Sequence, residues 1–561
     1  MAIPATFAKM LLERAGDARP GLLSEDGTRT WAEVVAEARV RAGALEAMCP
    51  PPAPGRPRHV GVLLENVPEY VYWICAAALA GATVVGVNPT RRGASLAADV
   101  RHTDCDVIVT DAEHVPLLEA VPDGPPVHVA GSAEYRRLLG AAEPVHRDPG
   151  PGERLLLLFT SGSTGAPKAV ACSQGRLASI AVRAGDMGIT RDSVTYAAMP
   201  LFHGNAVMAN LAMAVHAGAA VALRRRFSAS GFLPDVRRYG VTYFNYVGRA
   251  LAYVLATPER PDDADNTLQA AFGTEASAQD MARFAERFGC RIIEGYGSSE
   301  GAISLRKTPG TPPDALGLPP DGARVAILDP ETGLECPRAR FDADGALTAP
   351  SAAIGEIVGL DAAAAFEGYY RNPEADAERV RDGRYWSGDL GYRDEAGYFY
   401  FAGRGNDRLR VDSENFAAAP VERILARWPV VVMCAVYPVP DPRTGDQVMA
   451  ALELRDAPGG PGGPGAADGF DPAAFAAFLA AQPDLGTKWA PRFVRIVPAM
   501  PLTATGKVDK RPLRRDRWEA GDPVWWRPGR DLAYEPLDAG RAAALRAEFE
   551  ANGRAVVLRN P

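Results

Sequence analysis

The sequence has few cysteines and no cysteine pair with metal-ligand spacing. Its seven cysteines are scattered, their number is odd, and no CxxC occurs, so neither a disulfide framework nor a structural zinc site is expected. The N-terminal stretch lacks the basic and then apolar segments of a signal peptide. We therefore expect a protein of the reducing cytoplasm.

Long apolar runs are also scarce. Residues 70–90 carry no charge and are long enough to span a membrane. However, Asn66 can cap a helix that has Pro68 in its first turn, and Gly81 can end that helix. The β-branched stretch 83–87 that follows is typical of a buried strand. We therefore predict a helix and a strand of an α/β unit here, and no transmembrane span.

Positive charge is not in excess. The 61 Lys and Arg are outnumbered by 69 Asp and Glu, for a net charge of −8, which argues against nucleic acid or an anionic membrane as a partner. No internal repeat of solenoid length occurs. At 561 residues the chain has room for about two to four core units.

The pattern of apolar runs changes along the chain. Over the first 300 residues short apolar runs alternate with helical patterns, which predicts parallel sheets with ligands beyond the carboxyl ends of the strands. Residues 310–405 are rich in Pro and Gly and read as antiparallel strands. A smaller unit follows, with a helix at 419–428, a strand at 430–439 and, near the end of the chain, a helix at 538–552. Residues 456–471 form a low-complexity loop.

One buried strand runs directly into a small, hydroxyl-rich loop, TSGSTGAPK at 160–168. Its glycines let the backbone approach a ligand, its four hydroxyls and free N–H groups suit phosphate oxygens, and Lys168 adds positive charge. Lys168 follows Pro167 and precedes Ala169, so this is not a Walker A loop, and no GxGxxG follows an N-terminal strand. The pattern predicts a phosphate-binding loop of another kind.

This loop resembles the signature of the adenylate-forming superfamily of acyl-CoA synthetases, luciferases and adenylation domains. Further blocks follow in that family's order across nearly the whole chain: PLFHGNAV (200–207), EGYGSSEG (294–301), the stretch 385–415, and PLTATGKVDKRPLR (501–514). The segments VTYFNYVGRALAYVL and GEIVGL are most similar to the fatty-acid-transport and very-long-chain acyl-CoA synthetase branch.

The resemblance implies an architecture and a reaction. The fold would be α/β, with a large N-terminal domain (1–406) of two parallel-sheet α/β subdomains plus a small β-barrel. A mobile α+β lid domain (407–527) would carry the catalytic lysine, and an extension (528–561) would follow. A small-molecule carboxylic acid would react with Mg-ATP to give an acyl-adenylate and pyrophosphate, and the acyl group would pass to CoA. ATP, Mg²⁺ and coenzyme A are therefore the expected cofactors.

The family's site residues carry over onto matching positions. Those expected to hold the nucleotide are Thr160, Ser161, Gly162, Ser163, Thr164, Gly165, Lys168, Gly273, Thr274, Glu275, Tyr296, Gly297, Asp389 and Arg404. Those expected to act in catalysis are Lys507, which would bridge the carboxylate and the α-phosphate, Ser299 at the α-phosphate, Glu300 as the Mg²⁺ ligand, Arg404 and His203. The acyl pocket would include His203, Tyr246, Val247 and Gly248, and Asp407 would be the hinge.

Two features bear on the acid and on the acyl acceptor. The segment FHGNAV has no acidic residue to pair an ammonium group, so an α-amino acid substrate is not expected. After the hinge the family usually has a glycine where this chain has Ser413, in a loop that lines the pantetheine tunnel of relatives. An amine, a carrier-protein thiol or an activated inorganic oxyacid therefore stays open as an alternative to CoA ligation of a hydrophobic acid. A non-catalytic nucleotide-binding role and a homodimer also stay open.

Overall fold

The computed structural model describes residues 5–49, 51, 55–159, 168–247, 250–274, 276, 278–342, 347–404, 408–411, 414–442, 446–455, 470–482, 485, 488–503, 507–529, 531–552 and 554–558. The chain forms two compact units. The first comprises Met1–Ala276, Asp280–Ala302 and Ala364–Glu378, and the second comprises Ser277–Gln279, Ile303–Ala363 and Arg379–Pro561.

Strands and helices alternate in the first half of the chain and strands dominate the middle. The strands are β1 (Pro20–Ser24), β2 (Gly27–Thr30), β3 (His59–Leu63), β4 (Thr83–Gly86), β5 (Val107–Thr110), β6 (Val127–Val129), β7 (Arg154–Phe159), β8 (Ala169–Ser173), β9 (Val194–Ala197), β10 (Ala220–Leu223), β11 (Tyr243–Val247), β12 (Ala270–Thr274), β13 (Arg291–Gly297), β14 (Ser304–Arg306), β15 (Val325–Leu328), β16 (Arg340–Phe341), β17 (Leu347–Thr348), β18 (Gly355–Gly359), β19 (Val380–Arg381), β20 (Arg384–Arg393), β21 (Phe399–Arg404), β22 (Arg408–Val411), β23 (Glu414–Ala417), β24 (Val431–Pro440), β25 (Asp446–Leu454), β26 (Phe493–Ile496), β27 (Val524–Trp526) and β28 (Glu535–Pro536).

The helices are α1 (Phe7–Leu12), α2 (Trp31–Met48), α3 (Pro68–Ala80), α4 (Gly93–His102), α5 (Ala133–Ala141), α6 (Gln174–Ala181), α7 (Gly204–Ala206), α8 (Ala212–Ala217), α9 (Ala229–Tyr239), α10 (Ala250–Leu255), α11 (Ala278–Phe288), α12 (Pro350–Ala353), α13 (Pro373–Arg379), α14 (Ala418–Leu425), α15 (Pro472–Ala480), α16 (Lys510–Asp516) and α17 (Ala539–Ala551). A π-helical turn, Val207–Leu211, joins α7 to α8.

The first unit contains two predominantly parallel sheets, as predicted. The larger sheet has its strands in the order β13-β12-β11-β9-β10-β1-β2, and neighbours from β13 to β1 run parallel. The smaller sheet has the order β6-β5-β3-β4-β7-β8, in which β8 returns antiparallel to β7. The predicted phosphate loop therefore connects two strands of a hairpin, since it follows β7 and precedes β8.

The uncharged stretch 70–90 forms α3 and β4, as predicted, but the expected cap is wrong. Val67 holds the N-cap position and makes no side-chain bond to the helix, whereas Gly81 ends it in the left-handed conformation. The Asn66 amide is instead held by the segment after β9: it donates to the Met199 carbonyl (2.8 Å) and accepts from the Leu201 amide (2.9 Å). Tertiary partners outcompete the local cap here. No helix among the described residues has the length and hydropathy needed to span a bilayer.

The second unit is built mainly on antiparallel strands, with β25 and β26 as a parallel pair. β15, β18, β20, β19 and β21 form one sheet, in the segment where antiparallel strands are predicted. Strands β24 to β28 form another sheet, and α14 and α15 pack on it around a core that includes Val421, Trp428 and Phe475. Trp525 and Trp526 lie in β27, so the C-terminal tail contributes strands to this sheet. Residues 456–469 of the predicted low-complexity loop lie outside the described residues.

Candidate active site

The predicted phosphate loop is anchored at both ends. Thr160, Ser161, Gly162, Ser163, Thr164 and Gly165 lie outside the described residues. The strands on either side are fixed, because Phe159 pairs with Ala169 and Leu158 pairs with both Gly86 and Val170. The loop therefore starts at the carboxyl end of a central strand, where ligands bind in parallel sheets.

Lys168 is the first described residue after the loop. Its Nζ lies 2.9 Å from a carboxylate oxygen of Glu378, and its side chain is 15% exposed. The ammonium also lies over the ring of Tyr369, 5.7 Å from the centroid, within the range of a cation–π contact. The cation at the exit of the loop is therefore held from two sides.

The same tyrosine reaches the predicted metal ligand. The Tyr369 hydroxyl donates to Oε1 of Glu300 over 2.7 Å, and the two residues are 4% and 7% exposed. A carboxylate has further lone pairs beyond the one that accepts this bond. Lys168, Tyr369 and Glu300 thus form a continuous arrangement that links the phosphate loop to EGYGSSEG.

Backbone pairing along β8 places Tyr369. The Tyr370 amide donates to the Ala169 carbonyl (2.8 Å), and the Ala171 amide donates to the Gly368 carbonyl (3.1 Å). The Tyr369 amide itself donates to Asp376 (2.7 Å). The segment around Tyr369 consequently pairs, like an additional strand, with β8 of the hairpin that carries the phosphate loop.

Ser299 is positioned by an arginine that the sequence did not single out. Arg176, on α6, donates to the Ser299 carbonyl and to the Ala171 carbonyl. Gly301 has φ +68°, and a Cβ there would lie 2.4 Å from the Arg176 guanidinium, so a side chain at 301 would displace this contact. A Cβ on Gly204 would lie 2.9 Å from the Ser299 hydroxyl. The structure thus brings the segment that follows His203 against Ser299.

The remaining residues of the first unit that are predicted to bind the nucleotide or the acyl group lie near the ends of three adjacent strands. Tyr246 pairs with Gly273, Val247 pairs with Thr274, and Tyr296 and Gly297 end β13. A Cβ on Gly273 would lie 2.4 Å from the Tyr246 ring, so only glycine allows this approach. Gly248 and Glu275 lie outside the described residues.

His203 immediately precedes α7. It is half-buried, and its ring centroid lies 4.6 Å from that of Phe202. The carbonyl of Phe202 would be 2.9 Å from a Cβ on Gly86, so this segment runs close over the end of β4. These contacts place His203 beside the carboxyl ends of the strands, as the acyl-pocket prediction requires.

The second unit brings Asp389 and Arg404 opposite each other. The two residues are partners in the register of β20 and β21. The preceding Gly388 has φ +76°, and its amide donates to Glu356 over 2.6 Å. Burial raises the pKa of Glu356, with the Gly388 hydrogen bond opposing it. Asp407, the predicted hinge, and Ser413 lie outside the described residues.

Lys507 lies at the base of a small hairpin. The Thr503 amide donates to the Lys507 carbonyl (2.7 Å), the Lys507 amide donates to the Thr503 hydroxyl (3.2 Å), and Leu502 pairs with Val508. The backbone on both sides of the TATG turn is therefore paired. This fixes where the Lys507 side chain begins within the second unit.

The comparisons with known proteins identify the family. The family model for AMP-binding enzymes matches residues 13–370, and that for the AMP-binding enzyme C-terminal domain matches residues 420–507. The chain belongs to the AMP-binding enzyme family. Both matches together cover the segments that carry Lys168, Glu300 and Lys507.

Named relatives are CoA ligases. The steroid-22-oyl-CoA synthetase of Rhodococcus jostii is 50% identical, with 98% of each chain covered. The medium/long-chain-fatty-acid–CoA ligase FadD17 of Mycobacterium marinum is 45% identical, covering 94% of this chain and 99% of its own. The human long-chain fatty acid transport protein 5 is 31% identical over 96% of this chain and 82% of its own, which confirms the resemblance to that branch.

A solved structure shows the same fold. The anthranilate CoA ligase AuaEII in complex with anthranoyl-AMP superposes with a TM-score of 0.77 at 22% identity, covering 92% of this chain and 97% of its own. With this fold and these relatives, the chain is a ligase that forms an acyl-CoA through an acyl-adenylate, and its family implies the use of ATP and CoA.

Sequence reasoning missed Tyr369, Arg176 and Glu378. Each is distant in sequence from the residue it serves, and no local motif of the chain marks it. The one local feature near Tyr369 is the tyrosine pair in FEGYYRN. Nothing in that pattern indicates which carboxylate the Tyr369 hydroxyl would contact.

Proposed function

We propose that the enzyme activates a hydrophobic, non-amino carboxylic acid of medium or long chain, or one attached to a polycyclic ring system. The observation that carries the adenylating step is the linked arrangement of Lys168, Tyr369 and Glu300 at the exit of the phosphate loop. The hydrophobic acid is supported by the relatives at 50% and 45% identity and by the absence of an acidic residue in FHGNAV.

Mg²⁺ fits the chemistry of Glu300. Mg²⁺ is usually bound by one or two carboxylates together with substrate phosphates, and Glu300 offers one buried carboxylate oriented by Tyr369. When bound, the ion would neutralise charge on the ATP phosphates. Lys168 would add positive charge at the same place, and Ser299 would offer a hydroxyl to the α-phosphate.

The reaction brings two anions together, because a carboxylate must attack a phosphate that is already negative. Preorganised cations and donors are the main means of lowering such a barrier. Lys507 would bridge the attacking carboxylate and the α-phosphate. Asp389 and Arg404 would hold the ribose, and Tyr296 would lie against the adenine. His203, Tyr246 and Val247 would line the acyl pocket.

Adenylate formation and the transfer of the acyl group to the acceptor need different protein surfaces around the same adenylate. We therefore place a hinge at Asp407, between an adenylating domain (1–406) and a lid domain (407–527), with the tail at 528–561 attached to the lid. Ser413 follows this hinge in place of a glycine, and it motivates a second candidate: an adenylating enzyme whose acceptor is an amine or a carrier-protein thiol.

Pyrophosphate release from Mg-ATP tests both candidates. The purified chain is assayed with octanoate, palmitate, a steroid side-chain carboxylate, benzoate, leucine and sulfoacetate, each with and without CoA, and acyl-CoA is quantified by mass spectrometry. Acyl-CoA formation from the fatty or steroid acids, with no response to leucine, is the expected result. Pyrophosphate release without CoA consumption would reject CoA as the acceptor.

Lys507→Ala serves as a control for contaminating activity, since it should lower the signal by about 10²–10³-fold. The location and assembly stay predictions: we expect a cytoplasmic protein, and light scattering of the same preparation tests for a homodimer. Activity in detergent-free buffer would agree with the absence of a spanning helix among the described residues.

A further inference from the structure

A chain of polar side chains runs from the core of the larger sheet to the segment after His203. Thr195 on β9, Asn210 in the π-helical turn and Asn245 on β11 are fully buried. Asn205, on α7, is half-buried. π-Helical turns occur frequently at functional sites, and buried amides need every donor and acceptor satisfied. The hydrogen bonds among these four residues therefore determine whether Asn205 turns its amide oxygen or its NH₂ group away from Asn245.

The direction of the hydrogen bonds along this row of four side chains is set at its inner end, by Asn210. The Asn210 Nδ2 lies 3.1 Å from the Tyr196 carbonyl, which can only accept. The other amide atom, Oδ1, accepts from the Thr195 hydroxyl over 2.8 Å. The backbone carbonyl thus fixes which amide atom of Asn210 is nitrogen, without reference to the outer residues.

The orientation of Asn210 then fixes the orientations of Asn245 and Asn205. The second hydrogen of the Asn210 amide is donated to Oδ1 of Asn245 over 2.6 Å. The Asn245 Nδ2 in turn donates to Oδ1 of Asn205 over 2.6 Å. Asn205 must therefore turn its oxygen inward and keep its NH₂ group for the other side. Among the described residues this NH₂ group has no hydrogen-bond partner.

The neighbourhood of Asn205 is that of the reacting groups. The adjacent Gly204 backbone lies so close to Ser299 that a Cβ would be 2.9 Å from its hydroxyl. Asn205 also bonds to Asn245, whose side chain lies on the same face of β11 as that of Val247, two residues further along. An amide donor at this point is therefore close both to Ser299, the proposed α-phosphate contact, and to the strand end that carries the proposed acyl-pocket residue Val247.

We propose that Asn205 binds a carboxylate oxygen of the acid through its outward N–H, and that the buried chain of Asn245, Asn210 and Thr195 holds it in this orientation. The inference rests on the proposed function, since it places the acid beside Ser299. An amide whose oxygen faced outward would repel the carboxylate. The hydrogen bonds from the three buried residues instead keep the NH₂ group of Asn205 outward, where it can donate to an anion. Asn205 is thereby a binding residue, and the three buried residues are positioning residues.

Asn205→Asp tests the proposal with little change of shape. The substituted carboxylate still accepts from Asn245, so the inner bond is kept, but the outward donor becomes an acceptor with negative charge. Hydrogen bonds to charged groups contribute enough for a loss of about ten- to a hundredfold in affinity. We expect KM for dodecanoate in pyrophosphate release at pH 8 to rise at least tenfold, and KM for ATP to stay within twofold. The dissociation constant of dodecanoate, measured by calorimetry, should rise in parallel.

The pH profile separates this role from a structural one. As pH falls, the introduced carboxyl becomes protonated and can again donate a hydrogen, so the ratio of mutant to wild-type KM should shrink between pH 8 and pH 5.5. A structural defect would not follow the titration of the new group. Asn205→Ala, which removes the donor without adding charge, should raise KM at pH 8 less than Asn205→Asp and show no such recovery.

Ser132→Asp is a control that also introduces one carboxylate, because the Ser132 side chain caps α5 by accepting from the Tyr135 amide, a role that Asp fills equally well. It should leave KM for dodecanoate unchanged. An active wild type with Asn205→Asp within twofold in KM overturns the inference, as does an equal rise in KM for ATP. A wild type that turns over no acid would reject the proposed function. In that case, dodecanoate binding that is absent, or that Asn205→Asp leaves unaltered, rejects this inference as well.

Discussion

Removing the Tyr369 hydroxyl tests one interaction of the candidate site, the hydrogen bond from Tyr369 to Glu300. Tyr369→Phe keeps the ring, so the cation–π contact with Lys168 remains, and the 2.7 Å bond to Glu300 is lost. Both partners are almost fully buried, so water cannot readily replace the hydroxyl. Glu300 would then keep its position less well, and the carboxylate proposed to bind Mg²⁺ would be less well oriented.

The size of the effect follows from the kind of bond. A hydrogen bond to a charged group contributes about 1.5–3 kcal/mol, and about 1.4 kcal/mol corresponds to a tenfold change in an equilibrium constant. If roughly half of the bond's contribution serves to orient Glu300, KM for Mg-ATP should rise about tenfold. KM for the acid should change little, because Tyr369 contacts Glu300, the residue proposed to bind the metal.

The assay is pyrophosphate release as a function of Mg-ATP at saturating acid, for Tyr369→Phe, Glu300→Gln and the double variant. If the hydroxyl acts through Glu300, the double variant should lose no more activity than Glu300→Gln alone. Losses that multiply in the double variant would refute this reasoning, because Tyr369 would then act on something other than Glu300.

Tyr135→Phe is the matched control. Its buried hydroxyl also donates to a glutamate, Glu69, and accepts from the Trp73 indole over 2.9 Å. It should lower the melting temperature at least as much as Tyr369→Phe but leave KM for Mg-ATP unchanged. A shift in KM for Mg-ATP in this control would show that the assay reports general loosening of the first unit.

Three further predictions concern separate sites. Lys507→Ala should slow adenylation by about 10²–10³-fold, as expected for removal of one transition-state donor, without lowering the melting temperature; normal ATP–pyrophosphate exchange in this variant would contradict the assignment. Gly301→Ala should reduce adenylation at least tenfold, because the residue sits at φ +68° and its Cβ would meet Arg176; a fully active variant, measured by the same exchange, would show that the Arg176 contact is dispensable. His59 is buried with its Nδ1 bonded to the Thr103 carbonyl, and burial lowers its pKa to about 4. Since the unfolded side chain titrates near about 6.5, the protein should lose stability as pH falls from about 6.5 towards 4, by about 2 kcal/mol at pH 5. Asp99, whose pKa burial raises to about 6, shifts stability in the opposite direction, so the test is the difference in melting temperature between wild type and His59→Asn from pH 7.5 to pH 5. That difference should change over this range, and a constant difference would exclude His59 as the cause.

Local patterns predicted the elements well. The run 83–87, predicted as a buried strand, forms β4, and the helix predicted at 538–552 forms α17 with Asp538 as its N-cap. Local reasoning failed at Asn66, whose side chain bonds to the segment after β9 instead of capping α3. A cap is one hydrogen bond among several that an asparagine can make, and the packed structure offered this one better partners.

The sequence alone determined the fold class and the family and predicted the residues around ATP, because the phosphate loop, EGYGSSEG and TATGK are contiguous motifs whose chemistry depends on their own residues. Only the tertiary structure decided that Tyr369 joins Lys168 to Glu300 and that Asn245 turns the amide of Asn205 outward. These contacts join residues from about 40 to about 200 positions apart. Their partners depend on strand order, register and the direction of each hydrogen bond, and no pattern within a short window of sequence carries that information.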